Sequence, residues 1–206
     1  MTSFEVFQKF VPAAAVNYCN QLYSKNKFVF KITRARRSKL GDYKFDYQSR
    51  QHTITINNDL NPYAFLITYL HEVAHLITFK AYGKSAAPHG SEWKEAFVKL
   101  SRPVLNTEVF PAKVLSVLKN YFRNPKAASC SDPDLYLTLK KFDSQPDVLL
   151  LKDIALGDSF LFNEKAYRKL ELKRTRAMCI SLANKRRYLI PELAEVKKMK
   201  LMEDFG

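Results

Sequence analysis

Four side chains in the window 71–89 constrain this chain more than any other feature of its sequence. The window begins with HEVAH, from His71 to His75, and ends at His89, so it holds three of the four histidines in the chain. Residues four positions apart lie on one face of a helix, one turn from each other. His71 and His75 therefore present two imidazoles that can bind one metal ion, and the carboxylate of Glu72 can lie beside the metal as a base.

A catalytic zinc site needs a third protein ligand and keeps one position open. His89 is the candidate for that third ligand. Gly83 predicts the end of the first helix, and Pro88 stiffens a turn just before His89. Ser91 is the predicted N-cap of a second helix, with the tryptophan of the chain, Trp93, as a core anchor. The histidine would then lie at the entry of a helix that folds back over the first one.

The surroundings of the HEVAH segment favour a metal over an ordinary polar stripe. The helix predicted from Pro62 to Phe79 is apolar nearly all round, which is typical of a buried helix. Buried histidines and a buried glutamate need partners, and a metal ion supplies them. The alternative is a chance HExxH in which the same side chains are satisfied within the core. The fourth histidine, His52, is predicted to lie at a surface or strand edge and not to be a ligand.

HEVAH, a glycine-containing loop and then HGSEW, from His89 to Trp93, together resemble the metal-binding signature of the SprT-like (Spartan-related) family. This resemblance implies a zincin-like metallopeptidase of the α+β class, built from helices and a small antiparallel sheet. It implies that His71, His75 and His89 bind Zn²⁺ and that Glu72 is the general base. It also suggests action on proteins bound to DNA.

The sequence predicts three segments. Residues 1–123 are the metallopeptidase core, 124–148 are a linker or arm with a short strand-like stretch at 135–139, and 149–206 are a small basic β-rich module. In the core we expect one helix over 2–25, kinked at Pro12, a β-hairpin over 28–46 and a third strand over 52–57. Four short strands are expected in the module, at 159–162, 167–174, 177–182 and 187–190.

Cysteine usage limits what the C-terminal module can be. Relatives of the SprT-like type often carry a cysteine zinc ribbon there, but this module contains one cysteine, Cys179. The other two, Cys19 and Cys130, are far away in the sequence, and none of the three belongs to a CxxC pair. This argues against a zinc ribbon and against a disulfide framework.

The charge of the chain predicts a polyanionic partner. Its net charge is +14 and its pI is about 9.7, which favours DNA bound through phosphates without base specificity. A solvated basic surface without a specific role is the alternative. Tyr43 and Tyr47, next to the basic tip 34–39, could stack on unpaired bases or belong to the core. The predicted nucleic-acid contacts are Arg34, Arg36, Arg37, Lys39, Lys173, Arg174, Arg176, Arg186 and Arg187.

The sequence also sets expectations about location and competing functions. No apolar run approaches the ~20 residues that span a membrane, and the first residues lack the features of a signal peptide. We therefore expect a cytoplasmic protein, associated with the nucleoid if bacterial. Two other functions remain open beside a peptidase: a nucleic-acid-binding protein with a structural metal, and a metal-dependent hydrolase of a non-peptide substrate.

Overall fold

The computed structural model describes residues 2–36, 39–126, 132–144 and 148–199. The chain forms two compact units, Met1–Ser144 and Gln145–Gly206. The boundary between them lies inside the segment 124–148 that the sequence marks as a change in character. Helices and strands share the first unit and strands dominate the second, so the chain belongs to the α+β class as predicted.

The N-terminal segment forms two helices, where the sequence predicts one kinked helix. Helix α1 (Ser3–Phe10) begins with a capping box between Thr2 and Glu5, and α2 spans Val16–Asn26 after a short 3₁₀ turn. The break falls at Pro12. Proline has no backbone N–H to donate and its ring clashes with the preceding turn, so it ends the helix rather than bending it.

Three strands form a mixed sheet in the first unit. They are β1 (Val29–Thr33), β2 (Gly41–Asp46) and β3 (Gln51–Asn57), in the order β1-β3-β2. Strand β3 runs parallel to β1 and antiparallel to β2. The predicted hairpin over 28–46 is therefore wrong, and so is the prediction of a purely antiparallel sheet.

Hydrogen bonds connect the segment that follows β1 to β3. The guanidinium of Arg36 folds back and donates to Asn57 and Thr55 of β3, at 2.8 and 3.0 Å. The amide of Asn57 in turn donates to the backbone carbonyls of Arg36 and Lys39. These bonds place Arg36 and Lys39 next to β3, and β2 pairs with the side of β3 that is opposite β1.

Helix α3 (Pro62–Tyr82) lies at the centre of the first unit and is buried on most of its surface. The side chain of Asn61 caps its first turn, Pro62 occupies its first position, and Gly83 ends it with a φ of 60°. The predicted cap at Gly83 is thus confirmed. The helix packs against the inner face of the sheet, where Ile54 and Ile56 of β3 are fully buried.

Three further helices complete the first unit: α4 (Ser91–Ser101), α5 (Ala112–Tyr121) and α6 (Pro133–Lys140). The N-cap of α4 is Gly90, not Ser91 as predicted. Helix α6 occupies the stretch predicted to be strand-like, because Asp132 caps it and Pro133 starts it. Asn61 donates to the carbonyl of Leu139, which ties α6 to the start of α3.

The second unit is an antiparallel sheet with its own small core, which includes Leu151, Phe160 and Cys179. The order is β7-β6-β5-β4-β8. Four of these strands confirm the predicted ones to within two residues, and the short fifth was not predicted. The strands are β4 (Ser159–Phe162), β5 (Lys165–Lys173), β6 (Arg176–Ser181), β7 (Arg187–Pro191) and β8 (Lys197–Lys198).

One cation of this sheet has a structural role. Lys169 is buried, and its ammonium group donates to the carbonyls of Leu151 and Ile154 and pairs with Glu192 at 3.1 Å. It therefore does not belong to the exposed basic surface. Across the described part of the chain, none of the helices has both the length and the apolar character that crossing a membrane requires.

Candidate metal centre

The three histidines of the window 71–89 meet at their Nε2 atoms. Those of His71 and His75 are 3.1 Å apart, those of His75 and His89 are 2.9 Å apart, and those of His71 and His89 are 3.3 Å apart. Helix α3 supplies the first two histidines, and the loop between α3 and α4 supplies the third. The structure thus brings together all three predicted ligands.

A strained backbone and a tryptophan hold His89 in place. His89 has a φ of 59°, a conformation that non-glycine residues rarely adopt, and the N–H of Gly90 closes the turn on the carbonyl of Ala87. The ring of Trp93 lies 4.6 Å from the rings of both His71 and His89, and its side chain is 1 % exposed. The tryptophan is therefore a core anchor, as predicted, and it also supports the histidine rings.

The three nitrogens fit a zinc ion. Three ligands of a tetrahedral zinc with Zn–N bonds of ~2.0–2.1 Å lie roughly 3.3 Å from each other, close to the spacing found here. A neutral imidazole has one donor and one acceptor nitrogen. Three Nε2 atoms in mutual contact therefore cannot all be satisfied by one another, whereas a cation at their centre would satisfy all three.

The protonation of these rings also suits a metal. Burial, together with the neighbouring imidazoles of His75 and His89, lowers the pKa of His71 to about 3. Burial and the His89 ring lower the pKa of His75 to about 4, and burial lowers that of His89. These shifts favour the neutral form of all three rings, which is the form that binds metals.

Glu72 lies between α3 and the edge strand β2. Its side chain is buried, and this burial, together with the charge of Asp42, raises the pKa of Glu72 to about 8. The backbone N–H of Tyr43 donates to the carboxylate and opposes this rise in pKa. A Cβ placed on Gly41 would lie 2.6 Å from Oε1 of Glu72 and 2.7 Å from Cγ2 of Thr68. Glycine at this position therefore allows β2 to approach the carboxylate.

Tyr43 is a residue of the site that the sequence analysis placed next to the basic tip. Its ring is parallel to that of His75, with 6.4 Å between the centroids, and its hydroxyl hydrogen-bonds with Nδ1 of His52 at 2.9 Å. Burial raises its pKa above the ordinary value of a tyrosine. The signal in the sequence is the alternation from Gly41 to Phe45, which directs Tyr43 to the α3 face. His52 lies outside the three-histidine group.

The predicted nucleic-acid residues that the structure describes in the first unit differ in exposure and in their partners. Arg34 is exposed, whereas Arg36 is bound inward to β3 as described above. Lys39 pairs with Asp42 at 2.9 Å. Arg37 lies outside the described residues.

In the second unit the predicted contacts fall into two groups at opposite ends of β6. Arg174 and Arg176 lie at its start, next to Lys173, which pairs with Glu171 at 3.1 Å. Arg186 and Arg187 lie in and after the turn that leaves its other end. All five of these cations are exposed.

The sequence model of the SprT-like family matches residues 11–114, which is just over half of the chain. The matched range contains the three-stranded sheet, α3, α4, the three histidines and Glu72. No curated protein and no solved structure shows significant similarity to the chain.

Proposed function

We propose that this chain, which belongs to the SprT-like family, is a zinc-dependent endopeptidase with a zincin-type core. One observation carries the proposal. Three imidazole Nε2 atoms lie 2.9–3.3 Å from one another on α3 and the loop that follows it, and the residue after the first ligand is a buried glutamate. This set of groups is the one that zinc peptidases with an HExxH motif require.

The proposed chemistry divides between the metal and Glu72. His71, His75 and His89 would hold a zinc ion, which would lower the pKa of a bound water towards ~7 and polarise the substrate carbonyl. The positive charge of a bound zinc ion would favour the ionised form of Glu72. The carboxylate would then take the proton of the attacking water and deliver it to the leaving nitrogen. The Tyr43 N–H orients the carboxylate for both steps.

Strand β2 is the element that can align a polypeptide with these groups. Among the described strands it pairs with β3 on one side and with none on the other. An extended polypeptide can add to such an edge through backbone hydrogen bonds, which need no particular side chains. Its backbone would then lie over the row formed by His71 and His75 on α3.

Substituting Gly41 tests this use of the edge strand. In Gly41→Ala the new methyl group collides with Glu72 and Thr68, so either β2 moves away or the carboxylate is displaced. We expect peptide cleavage to fall at least about tenfold, since small misplacements at a reacting centre cost up to ~10² in rate. Zinc content should stay unchanged, because the ligands lie on α3 and its loop. Lys44→Ala, an exposed change on the same strand, is the matched control.

The proposed activity is tested by identifying the bond that is broken. The zinc-loaded protein is incubated with an unstructured polypeptide, and the products are examined by mass spectrometry for new N-termini. Chelation should abolish the cleavage. A protein that retains its zinc but releases no peptides would have a structural metal or act on a non-peptide substrate.

We also propose that the chain binds DNA without base specificity and that its substrates include proteins bound to DNA. The net charge of +14 supports this proposal. So does the exposure of Arg34 in the first unit and of the two arginine groups at the ends of β6. The arginines Arg174, Arg176, Arg186 and Arg187 have high exposure and present planar donors suited to phosphate.

The DNA proposal predicts a strong dependence of affinity on salt. Each phosphate contact should contribute about 0.9 log units of affinity per log unit of salt. Changing Arg174, Arg186 and Arg187 to glutamate should lower both the affinity and this slope, whereas Arg102→Glu, an exposed change on the first unit, serves as the control. Fluorescence anisotropy with labelled DNA measures both quantities. A flat salt response, or equal losses in the control, would remove the DNA role.

A further inference from the structure

A row of rings extends from the metal centre along one face of α3. His71, His75 and Phe79 follow one another at intervals of four residues, so each lies one turn beyond the last. On β2, Tyr43 and Phe45 alternate towards the same helix. The ring of Tyr43 lies opposite His75, and the ring of Phe45 lies 4.7 Å from that of Phe79.

The far end of this row is open to solvent. Tyr47 follows β2, and its ring centroid is 4.9 Å from Phe45 and 6.3 Å from Phe79. Its side chain is 58 % exposed, and Phe45 and Phe79 are each half-buried. We name these three residues the aromatic shelf. Exposed rings grouped next to a site are typical of a binding surface, since apolar area in a soluble protein is otherwise scattered.

We propose that the aromatic shelf binds an aromatic or large aliphatic side chain of the polypeptide whose backbone lies along β2. This inference rests on the proposed peptidase function. Phe79 is one helical turn from His75, about 6 Å along the axis, and an extended chain covers that distance in roughly two residues. The preferred side chain therefore lies about two residues from the bond that is cleaved.

The positive charge of Lys84 limits which side chains the aromatic shelf can bind. Its ammonium group lies 4.6 Å from the ring centroid of Tyr47, in the loop between α3 and His89. A cation already occupies this face of the ring, so a lysine or arginine side chain of the substrate would meet like charge. The shelf should therefore accept phenylalanine or leucine and reject basic side chains.

Binding to a variant that does not turn over tests the shelf directly. Two fluorescently labelled dodecapeptides are compared, identical except that a central phenylalanine is replaced by lysine, with zinc-loaded Glu72→Gln protein. We expect the phenylalanine peptide to bind about tenfold more tightly, the effect of burying one large apolar side chain. Adding Tyr47→Ala, which removes an exposed ring without disturbing the core, should abolish most of that difference. Tyr82→Ala, which removes an exposed ring at the end of α3, should leave the difference in affinity unchanged.

Cleavage mapping separates this inference from the proposed function. With the wild-type protein and an unstructured polypeptide, the cut positions should cluster about two residues from aromatic or large aliphatic side chains. Cuts without such clustering, or equal affinity for the two peptides, would overturn the shelf and leave the peptidase intact. Selective binding of the phenylalanine peptide without any cleavage would overturn the proposed peptidase instead.

Discussion

Replacing Glu72 with glutamine is expected to lower peptide cleavage by a factor of about 10²–10⁴ while leaving the fold and the zinc in place. Glutamine has the same shape, and its amide oxygen can still accept the Tyr43 N–H. It cannot take a proton from water at neutral pH. The measurement is the rate of peptide release together with the zinc content of the same sample.

Glu95→Gln provides the control for this experiment. Glu95 lies on α4, is exposed and has no role in the proposed chemistry, so its loss should leave the rate unchanged. A Glu72→Gln protein that cleaves as fast as the wild type would contradict the assignment of Glu72 as the base.

Replacing His89 with alanine is expected to cause a large loss of affinity for zinc. The three Nε2 atoms form one group, so His89→Ala leaves two ligands and an apolar gap. Changes in outer groups around a metal already cost 10–100-fold in affinity, and loss of a direct ligand should exceed about 100-fold. Metal analysis after dialysis, followed by competition with a chelator, measures the change.

His52→Ala is the matched control for zinc binding. His52 is the fourth histidine of the chain, and it contacts Tyr43 but lies outside the three-histidine group. The His52→Ala protein should therefore retain one zinc per chain. Equal occupancy in the two variants would exclude His89 from the metal site.

The grouping of the three histidines could be predicted because most of its geometry comes from a helix. The spacing of His71 and His75 fixes their relative position once the segment is helical, and Gly83 and Pro88 indicate how the chain returns with His89. The hydrogen bond between Tyr43 and Glu72 could not be predicted in the same way. It depends on which strand lies over α3, and side-chain patterns do not determine that.

The order of the strands is where the sequence was misleading. Consecutive strands usually pair, so β1 and β2 resemble a hairpin, yet β3 lies between them. Alternation identifies the two faces of each strand and not its neighbours. Arg36 shows the consequence, because a residue predicted in an exposed basic tip instead donates to Asn57 and Thr55.

The second unit was predicted almost strand by strand because its connections are local. Short turns join its strands β4 to β7, and Asn163, Arg174 and Lys185 adopt the positive φ that such turns need. Its small core and its edge strand β8 depend on contacts between distant parts of the segment. A strand of two residues is too short to show the alternation that predicts a strand from sequence.

A zinc titration tests the account most directly. Metal-free protein is prepared by chelation, zinc is added in known amounts, and the initial rate of cleavage of an unstructured polypeptide is measured at each point. For a zinc peptidase with one metal site, the rate should rise linearly from zero and level off at one zinc per chain. A rate that is already full without zinc, or that stays at zero when one zinc is bound, would contradict the proposed function.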